Sequence, residues 1–163
     1  MGSSTHLQAE MFKRAAGIDI VNVTYKGSSP ALQDLVAGQV QMMFDNLPSA
    51  YPLVHAGKLR ALAVTGATPS PVLPGVPTVA SVLPGFVDVT WWAILGPAGM
   101  PADVATRLSD ALLKIAREPD FVEALAERGG VVVAEGPEAL RATIKAESEK
   151  TGALIRDLGI TPQ

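Results

Sequence analysis

Three short polar loops hold the residues whose types and spacing could bind a ligand. Two of these loops precede helical patterns, where unpaired N–H groups and the helix dipole favour an anion. A third loop follows an apolar run and adds a carboxylate. The residues are Gly2, Ser3, Ser4 and Thr5 in the first loop, Lys26, Gly27 and Ser28 in the second, and Asp45 in the third. The first two loops predict an anion site.

Each loop also has a simpler structural explanation. Serine or threonine before a helix commonly accepts a bond from a backbone N–H and so caps the helix. On that basis we expect Ser29 to cap the second helix, with Pro30 at its first position. Asp45 could equally cap the helix that follows it. Two Gly/Ser-rich loops at adjacent helix starts favour an anion site over capping alone.

No residue pattern typical of catalysis accompanies these loops. Gly-x-Ser-x-Gly is absent, and neither His6 nor His55 stands at a spacing that links it to a nucleophile. A triad of Ser28, His6 and Asp45 is conceivable from residue types, but no spacing favours it. The sequence has no cysteine, and two histidines without paired carboxylates do not make a zinc site. We therefore predict no enzyme activity, no metal and no cofactor.

Alternating strand and helix patterns must position the loops. Helical spacing of apolar residues predicts helices at 5–16, from Pro30 to Gly38, up to His55, from Pro101, from Pro119 and from Pro137. Runs of β-branched and aromatic residues predict strands at 18–25, 40–44, 59–65, 86–95 and 131–133. This alternation predicts an α/β fold with a parallel sheet, in which ligands bind beyond the carboxyl ends of strands. The proline-rich residues 66–85 predict a linker or crossing segment.

Composition narrows the classes of protein further. The 163 residues are 48% hydrophobic and 18% charged, which excludes an intrinsically disordered chain. The net charge of −3, without clustered Lys and Arg, gives no reason to expect a nucleic-acid partner. No apolar run approaches the ~18 residues that cross a membrane. The first residues show no signal-peptide pattern.

Several longer stretches resemble one family of receptors. They include Tyr-Lys-Gly-Ser-Ser-Pro at 25–30, Met-Phe-Asp-Asn-Leu-Pro-Ser-Ala at 43–50 and Gly-Lys-Leu-Arg-Ala-Leu-Ala-Val-Thr at 57–65. Over essentially its whole length the sequence resembles the Bug family, the extracytoplasmic solute receptors of tripartite tricarboxylate transporters. The resemblance implies a periplasmic protein that binds a small carboxylate and works with the membrane components of such a transporter. It places the loops at 2–5 and 26–28 in the ligand site and Asp45 near the ligand.

The resemblance also implies an incomplete fold. The family has a two-lobed, periplasmic-binding-protein-like fold (Venus flytrap, type II), and this sequence resembles its C-terminal half. Residues 1–88 would form most of lobe two, and residues 89–163 the crossing strand and the C-terminal helices of lobe one. We expect a truncated or processed receptor. The alternative is a truncated standalone chain that dimerises as a structural or interaction protein without high-affinity ligand binding. We also expect a homodimer or segment-swapped dimer, because the apolar helix faces would otherwise stay partly exposed. A transcription-regulator effector domain would need a helix-turn-helix and a basic patch, which the sequence lacks.

Overall fold

The structure of the protein, a computed structural model, describes residues 3–159. Six α-helices make up the regular structure of these residues. They are α1 (Ser4–Ala16), α2 (Ser28–Val36), α3 (Leu47–His55), α4 (Ala102–Ala116), α5 (Pro119–Ala126) and α6 (Pro137–Asp157), with one 3₁₀ turn at Val79–Ser81. The described residues divide into two compact units, unit 1 (residues 3–90) and unit 2 (Trp91–Gly159). No helix within residues 3–159 is both long and apolar enough to cross a membrane.

Local sequence chemistry sets most helix ends. Helix α1 ends at Gly17, whose φ of 64° is left-handed and whose N–H bonds the carbonyls of the last turn. Pro119 and Pro137 open α5 and α6, where a residue without an N–H loses no helical bond. The predicted helices at 5–16, from Pro119 and from Pro137 are therefore confirmed to within a residue.

The predicted start of α2 is wrong. Gly27, not Ser29, is the N-cap residue, and Ser28 and Ser29 belong to the first helical turn. Pro30 is therefore the third helical residue, where its missing N–H is still one of those without an intrahelical acceptor. Gly27 has φ 115° and ψ 171°, a backbone conformation that is essentially restricted to glycine.

An aromatic cluster forms the centre of unit 1. The ring of Phe12 on α1 lies 5.6 Å from that of Phe44 and 6.2 Å from that of Phe86, in edge-to-face geometry. The rings of Phe44 and Phe86 stack at 6.4 Å. The buried apolar residues of the described part of unit 1 come from α1, α2 and the segment after residue 70: Leu7, Ala31, Leu32, Leu73, Val79 and Phe86. Helices α1 and α2, whose starts carry the predicted loops, thus each bury apolar side chains.

The proline-rich residues 66–85 are not a linker. Leu73, Thr78 and Val79 are buried in unit 1, and Val64 and Thr78 form a parallel bridge. The bridge consists of bonds from Val64 N to Pro77 O and from Val79 N to Val64 O, each 2.9 Å. Prolines exclude a long ladder because they lack an N–H, but both donors here are valines. The segment therefore folds back and completes the core.

The predicted strands do not form a sheet. Apart from the bridge at Val64, residues 3–159 contain no paired strand, so the segments 18–25, 40–44, 59–65, 86–95 and 131–133 are non-helical and without a ladder. An apolar β pattern shows that a segment suits burial in a sheet. A strand exists only when a neighbouring segment pairs with its backbone groups. In the described part of the chain, the long-range backbone bonds of these segments are those of the Val64 bridge and one from the Asp88 N–H to the Thr65 carbonyl at 3.0 Å, which do not make a ladder.

Unit 2 is helical, and its described residues form no buried core. Helices α4 and α5 contact each other, and the Arg117 side chain donates to the carbonyl of Ala134 at 3.3 Å. None of its described residues is buried. The assignment of the two units to lobes two and one stays a prediction.

Candidate functional site

Helix α1 begins with a side-chain cap. The Ser3 hydroxyl accepts a bond from the His6 N–H at 3.3 Å and lies 3.1 Å from the Thr5 hydroxyl. The Leu7 N–H bonds the Ser3 carbonyl at 3.1 Å, so the N–H groups of Ser4 and Thr5 have no intrahelical acceptor. Capping therefore accounts for Ser3, and the anion-binding capacity of this loop lies in the next two N–H groups. The fourth predicted residue, Gly2, lies outside the described residues.

Helix α2 begins without a side-chain cap. Gly27 has no side chain, and no other side chain accepts from the first turn. The N–H groups of Ser28 and Ser29 therefore remain available, while Pro30 has none. Lys26 is exposed immediately before the helix. This uncapped helix start, with a positive charge beside it, is the strongest candidate for an anion site in the described residues.

Asp45 joins the start of α2. The Ser28 hydroxyl donates to Oδ1 of Asp45 at 2.7 Å, and the other carboxylate oxygen, Oδ2, is buried without a hydrogen-bond partner. The structure thus brings two of the three predicted loops together. Asp45 does not cap α3, whose N-cap residue is Asn46. Because the Ser28 proton is directed to Asp45, Ser28 can bind a carboxylate through its backbone N–H but not through its hydroxyl.

The same bond argues against a catalytic triad. A triad requires the serine hydroxyl to donate to a histidine, whereas Ser28 donates to a carboxylate. His55 stacks on Tyr51 at a ring distance of 5.7 Å. No group of three or more potential metal-ligating side chains occurs in residues 3–159.

Tyr25 and Asp34 support the α2 loop, and sequence analysis missed both. The Tyr25 hydroxyl donates to Oδ2 of Asp34 at 2.8 Å, which ties the residue before Lys26 to the second turn of α2. The bond closes the loop that contains Gly27. A tyrosine at the end of an apolar run, followed by a short loop and a helix with a carboxylate in its second turn, was the available signal.

Gln8 and Asp88 fix α1 within unit 1. The Gln8 amide is buried and donates to Oδ2 of Asp88 at 2.9 Å, which holds α1 against the segment that follows Phe86. A buried amide needs such a partner because an unpaired one costs about 1–3 kcal/mol. No hydrogen bond among residues 3–159 joins the loop at 3–5 to the loop at 26–28. Each helix start is therefore positioned by its own contacts.

The Tyr25–Asp34 bond predicts a pH dependence. The hydrogen bond to Asp34 raises the pKa of Tyr25, with smaller contributions from burial and from the Asp34 charge. Since the folded pKa exceeds the unfolded one, the stabilisation is complete below the ordinary tyrosine pKa and is lost as pH rises through the raised value. An absorbance titration of tyrosinate in Tyr51→Phe, which leaves one tyrosine, should show the raised pKa. Adding Asp34→Asn should lower it, and identical curves for the two variants would contradict the assignment.

The family profile for "Tripartite tricarboxylate transporter family receptor" (TctC) matches residues 1–160. Over 157 residues the chain is 40% identical to the UPF0065 protein in the tcbD-tcbE intergenic region of Pseudomonas sp. (strain P51), covering 95% of this chain and 47% of that protein. It is 32% identical to BugT of Bordetella pertussis, covering 98% and 49%. It is 35% identical to the UPF0065 protein in the clcB-clcD intergenic region of Pseudomonas knackmussii, covering 95% and 93%. The chain thus spans about half the length of the first two relatives and most of the third.

Solved structures with the same fold cover nearly the whole chain. R. palustris Rpa4515 with adipate has a TM-score of 0.95 and 34% identity over 99% of this chain and 55% of its own. The periplasmic binding protein BugD has a TM-score of 0.94 and 31% identity over the same shares. MatC from Rhodopseudomonas palustris, with bound malate, has a TM-score of 0.87 and 29% identity over 94% and 54%.

These matches decide the fold class. The chain has an incomplete Venus-flytrap fold of the periplasmic-binding-protein type, as the sequence resemblance predicted. The prediction that it is not an enzyme is also confirmed, because the matched family and structures are solute-binding receptors. With its profile matched over residues 1–160 and Bug proteins among its relatives, the chain belongs to the tripartite tricarboxylate transporter family receptors, the Bug family.

Proposed function

We propose that this chain contributes part of a periplasmic receptor for a small carboxylate, which passes its solute to the membrane components of a tripartite tricarboxylate transporter. The observation that carries the proposal is the uncapped start of α2, where Gly27 leaves two N–H groups available beside Lys26. The matched structures with bound adipate and malate support a carboxylate as the ligand class.

In this proposal, two helix starts supply the hydrogen-bond donors for the ligand. The N–H groups of Ser28 and Ser29 bind one carboxylate, and those of Ser4 and Thr5 offer a second set of donors. Lys26 adds charge, and the Ser28–Asp45 bond fixes the first residue of α2. The charge of Asp45 opposes an anion, so its role is to orient Ser28 rather than to contact the carboxylate. Gly2 completes the proposed ligand-binding set.

The expected affinity is low. A helix start contributes about 0.3–1 kcal/mol toward an adjacent anion. A hydrogen bond to a charged group adds about 1.5–3 kcal/mol before the costs of desolvation and ordering. These contributions support a Kd near 1 mM, which corresponds to about −4 kcal/mol. Higher affinity requires donors that residues 3–159 do not supply.

Calorimetric titration with adipate and malate tests the proposal. We expect saturable binding with a Kd on the order of 1 mM, weakening as salt rises because the interaction is electrostatic. Adipamide has the same length as adipate without its charge and should not bind. Lys26→Gln should weaken adipate binding several-fold, whereas Lys150→Gln removes an equal charge from α6 and should not. Equal heats for adipate and adipamide would contradict a carboxylate site.

The second candidate is a self-associating chain. It is favoured by the exposed apolar faces of unit 2, where Leu108, Leu112, Phe121 and Ile144 are all accessible. The homodimer predicted from the sequence stays a prediction. Light scattering of the chain alone at micromolar concentration tests this candidate: a dimeric mass would favour it, and a monodisperse monomer would contradict it.

A further inference from the structure

A buried glutamine lies on one face of α1. Gln8 is 4% exposed, and its side-chain amide donates to Oδ2 of Asp88 at 2.9 Å. Residues four positions apart share a helix face, so Ser4, Gln8 and Phe12 form one stripe along α1. An apolar side chain would fill this position without the cost of burying an amide. The hydrogen bond adds a fixed direction to the contact, which apolar packing does not supply.

The acceptor of this bond is itself held in place. The Asp88 N–H donates to the carbonyl of Thr65 at 3.0 Å. The residue before Thr65 is Val64, which forms the bridge to the buried Thr78. Asp88 is thus attached through the backbone to the bridged part of unit 1, and its carboxylate offers α1 a fixed acceptor.

Two kinds of contact orient α1 on this face. Phe12 packs against Phe86 with ring centroids 6.2 Å apart, and Leu7 is buried. Such apolar contacts tolerate small rotations because the hydrophobic effect is not directional. A hydrogen bond weakens steeply as its angle departs from linear. The bond from Gln8 to Asp88 therefore determines the rotation of the helix more narrowly than the apolar contacts do.

The first turn of α1 contains its ligand donors. The N–H groups of Ser4 and Thr5 have no intrahelical acceptor, and Gln8 follows Ser4 by one turn. We propose that Gln8 and Asp88 are positioning residues for carboxylate binding, and that their bond holds these two N–H groups in the orientation that the ligand requires. This role rests on the proposed function and acts through α1 rather than through contact with the ligand. The start of α2 is held by other residues, so loss of the bond should affect the α1 donors alone.

Amide shifts during a malate titration of Gln8→Met test this role. Methionine keeps an unbranched, buried side chain but cannot donate a hydrogen bond to Asp88. We expect the shifts at residues 4–5 to shrink and those at residues 27–29 to stay. The Kd should rise about two- to fivefold, which corresponds to one helix-start contribution. Gln33→Met makes the same substitution at an exposed position of α2 and should change neither set of shifts.

A double variant distinguishes positioning from general stability. In Gln8→Glu with Asp88→Asn, the amide at position 88 can donate to the carboxylate at position 8, so the bond returns with donor and acceptor exchanged and net charge unchanged. We expect this variant to regain the shifts at residues 4–5. Gln8→Glu alone places two carboxylates together and should lack those shifts. If Gln8→Met loses helix content by circular dichroism, the double variant decides the question.

Three results would overturn the positioning role. The first is unchanged shifts at residues 4–5 in Gln8→Met, and the second is an equal loss at residues 4–5 and 27–29. The third is a double variant that does not fold or does not regain the shifts. All three leave the proposed function standing when the unmodified chain shows saturable malate shifts at both helix starts. An unmodified chain without malate shifts would contradict the proposed function and the positioning role together.

Discussion

Phe86→Ala should lower the free energy of unfolding by about 3–5 kcal/mol, the usual cost of truncating a buried phenylalanine. Phe86 is 4% exposed and lies against the rings of both Phe12 and Phe44. The truncation removes both ring contacts, and neighbours of fixed shape cannot fill the gap. Urea unfolding followed by far-ultraviolet circular dichroism measures the loss.

Phe121→Ala is the matched control for this prediction. Phe121 is the same residue type, but it is 45% exposed on α5. Its truncation should cost about 1 kcal/mol or less, because little surface returns to water. Equal losses for the two variants would show that the aromatic cluster is not the core of unit 1.

Gly27→Ala should abolish most carboxylate binding, with at least about a tenfold rise in Kd. Gly27 has φ 115° and ψ 171°, and a residue with a Cβ pays about 1–3 kcal/mol to remain there. An added Cβ would meet no atom within 4 Å, so the penalty is conformational rather than steric contact with a neighbour. Relaxation of this strain reorients the N–H groups of Ser28 and Ser29, which form the proposed site.

Gly57→Ala is the control that distinguishes backbone strain in general from loss of the proposed binding site. Gly57 also has a positive φ, 67°, and open space around it, but it follows α3 rather than opening α2. It should lose stability while keeping adipate affinity unchanged. If Gly27→Ala binds adipate as the unmodified chain does, the start of α2 is not the anion site.

Sequence reasoning succeeded where helix ends depend on one residue. Gly17 stops α1 and Pro119 opens α5 through their own backbone preferences, which need no distant partner. The same logic failed at α2, because Ser29 has the chemistry of a cap but Gly27 has the conformation of one. The capping preference of serine favours Ser29 as the N-cap residue, whereas the backbone freedom of glycine favours Gly27. The sequence alone does not show which of the two effects is larger.

The other features that the sequence did not predict depend on contacts between residues far apart in the chain. The residue types at 131–133 predict a strand, but strand formation depends on neighbouring segments that the run itself does not encode. The composition of the proline-rich segment predicts a linker or crossing segment and does not reveal its two backbone bonds with Val64. The Ser28–Asp45 bond joins residues 17 positions apart, and the sequence does not predict it although it indicates both residues as site candidates.

Site-resolved amide shifts during a malate titration test the central claim most directly. The claim is that the starts of α1 and α2, and no other helix starts, hold a carboxylate through backbone N–H groups. The starts of α4 and α6 serve as internal controls, because they carry the same dipole without a Gly/Ser-rich loop before them. We expect saturable shifts that are largest at residues 27–29, smaller at residues 4–5, and negligible at residues 102–104 and 138–140. Equal shifts at all four helix starts, or none at roughly tens of millimolar malate, would contradict it.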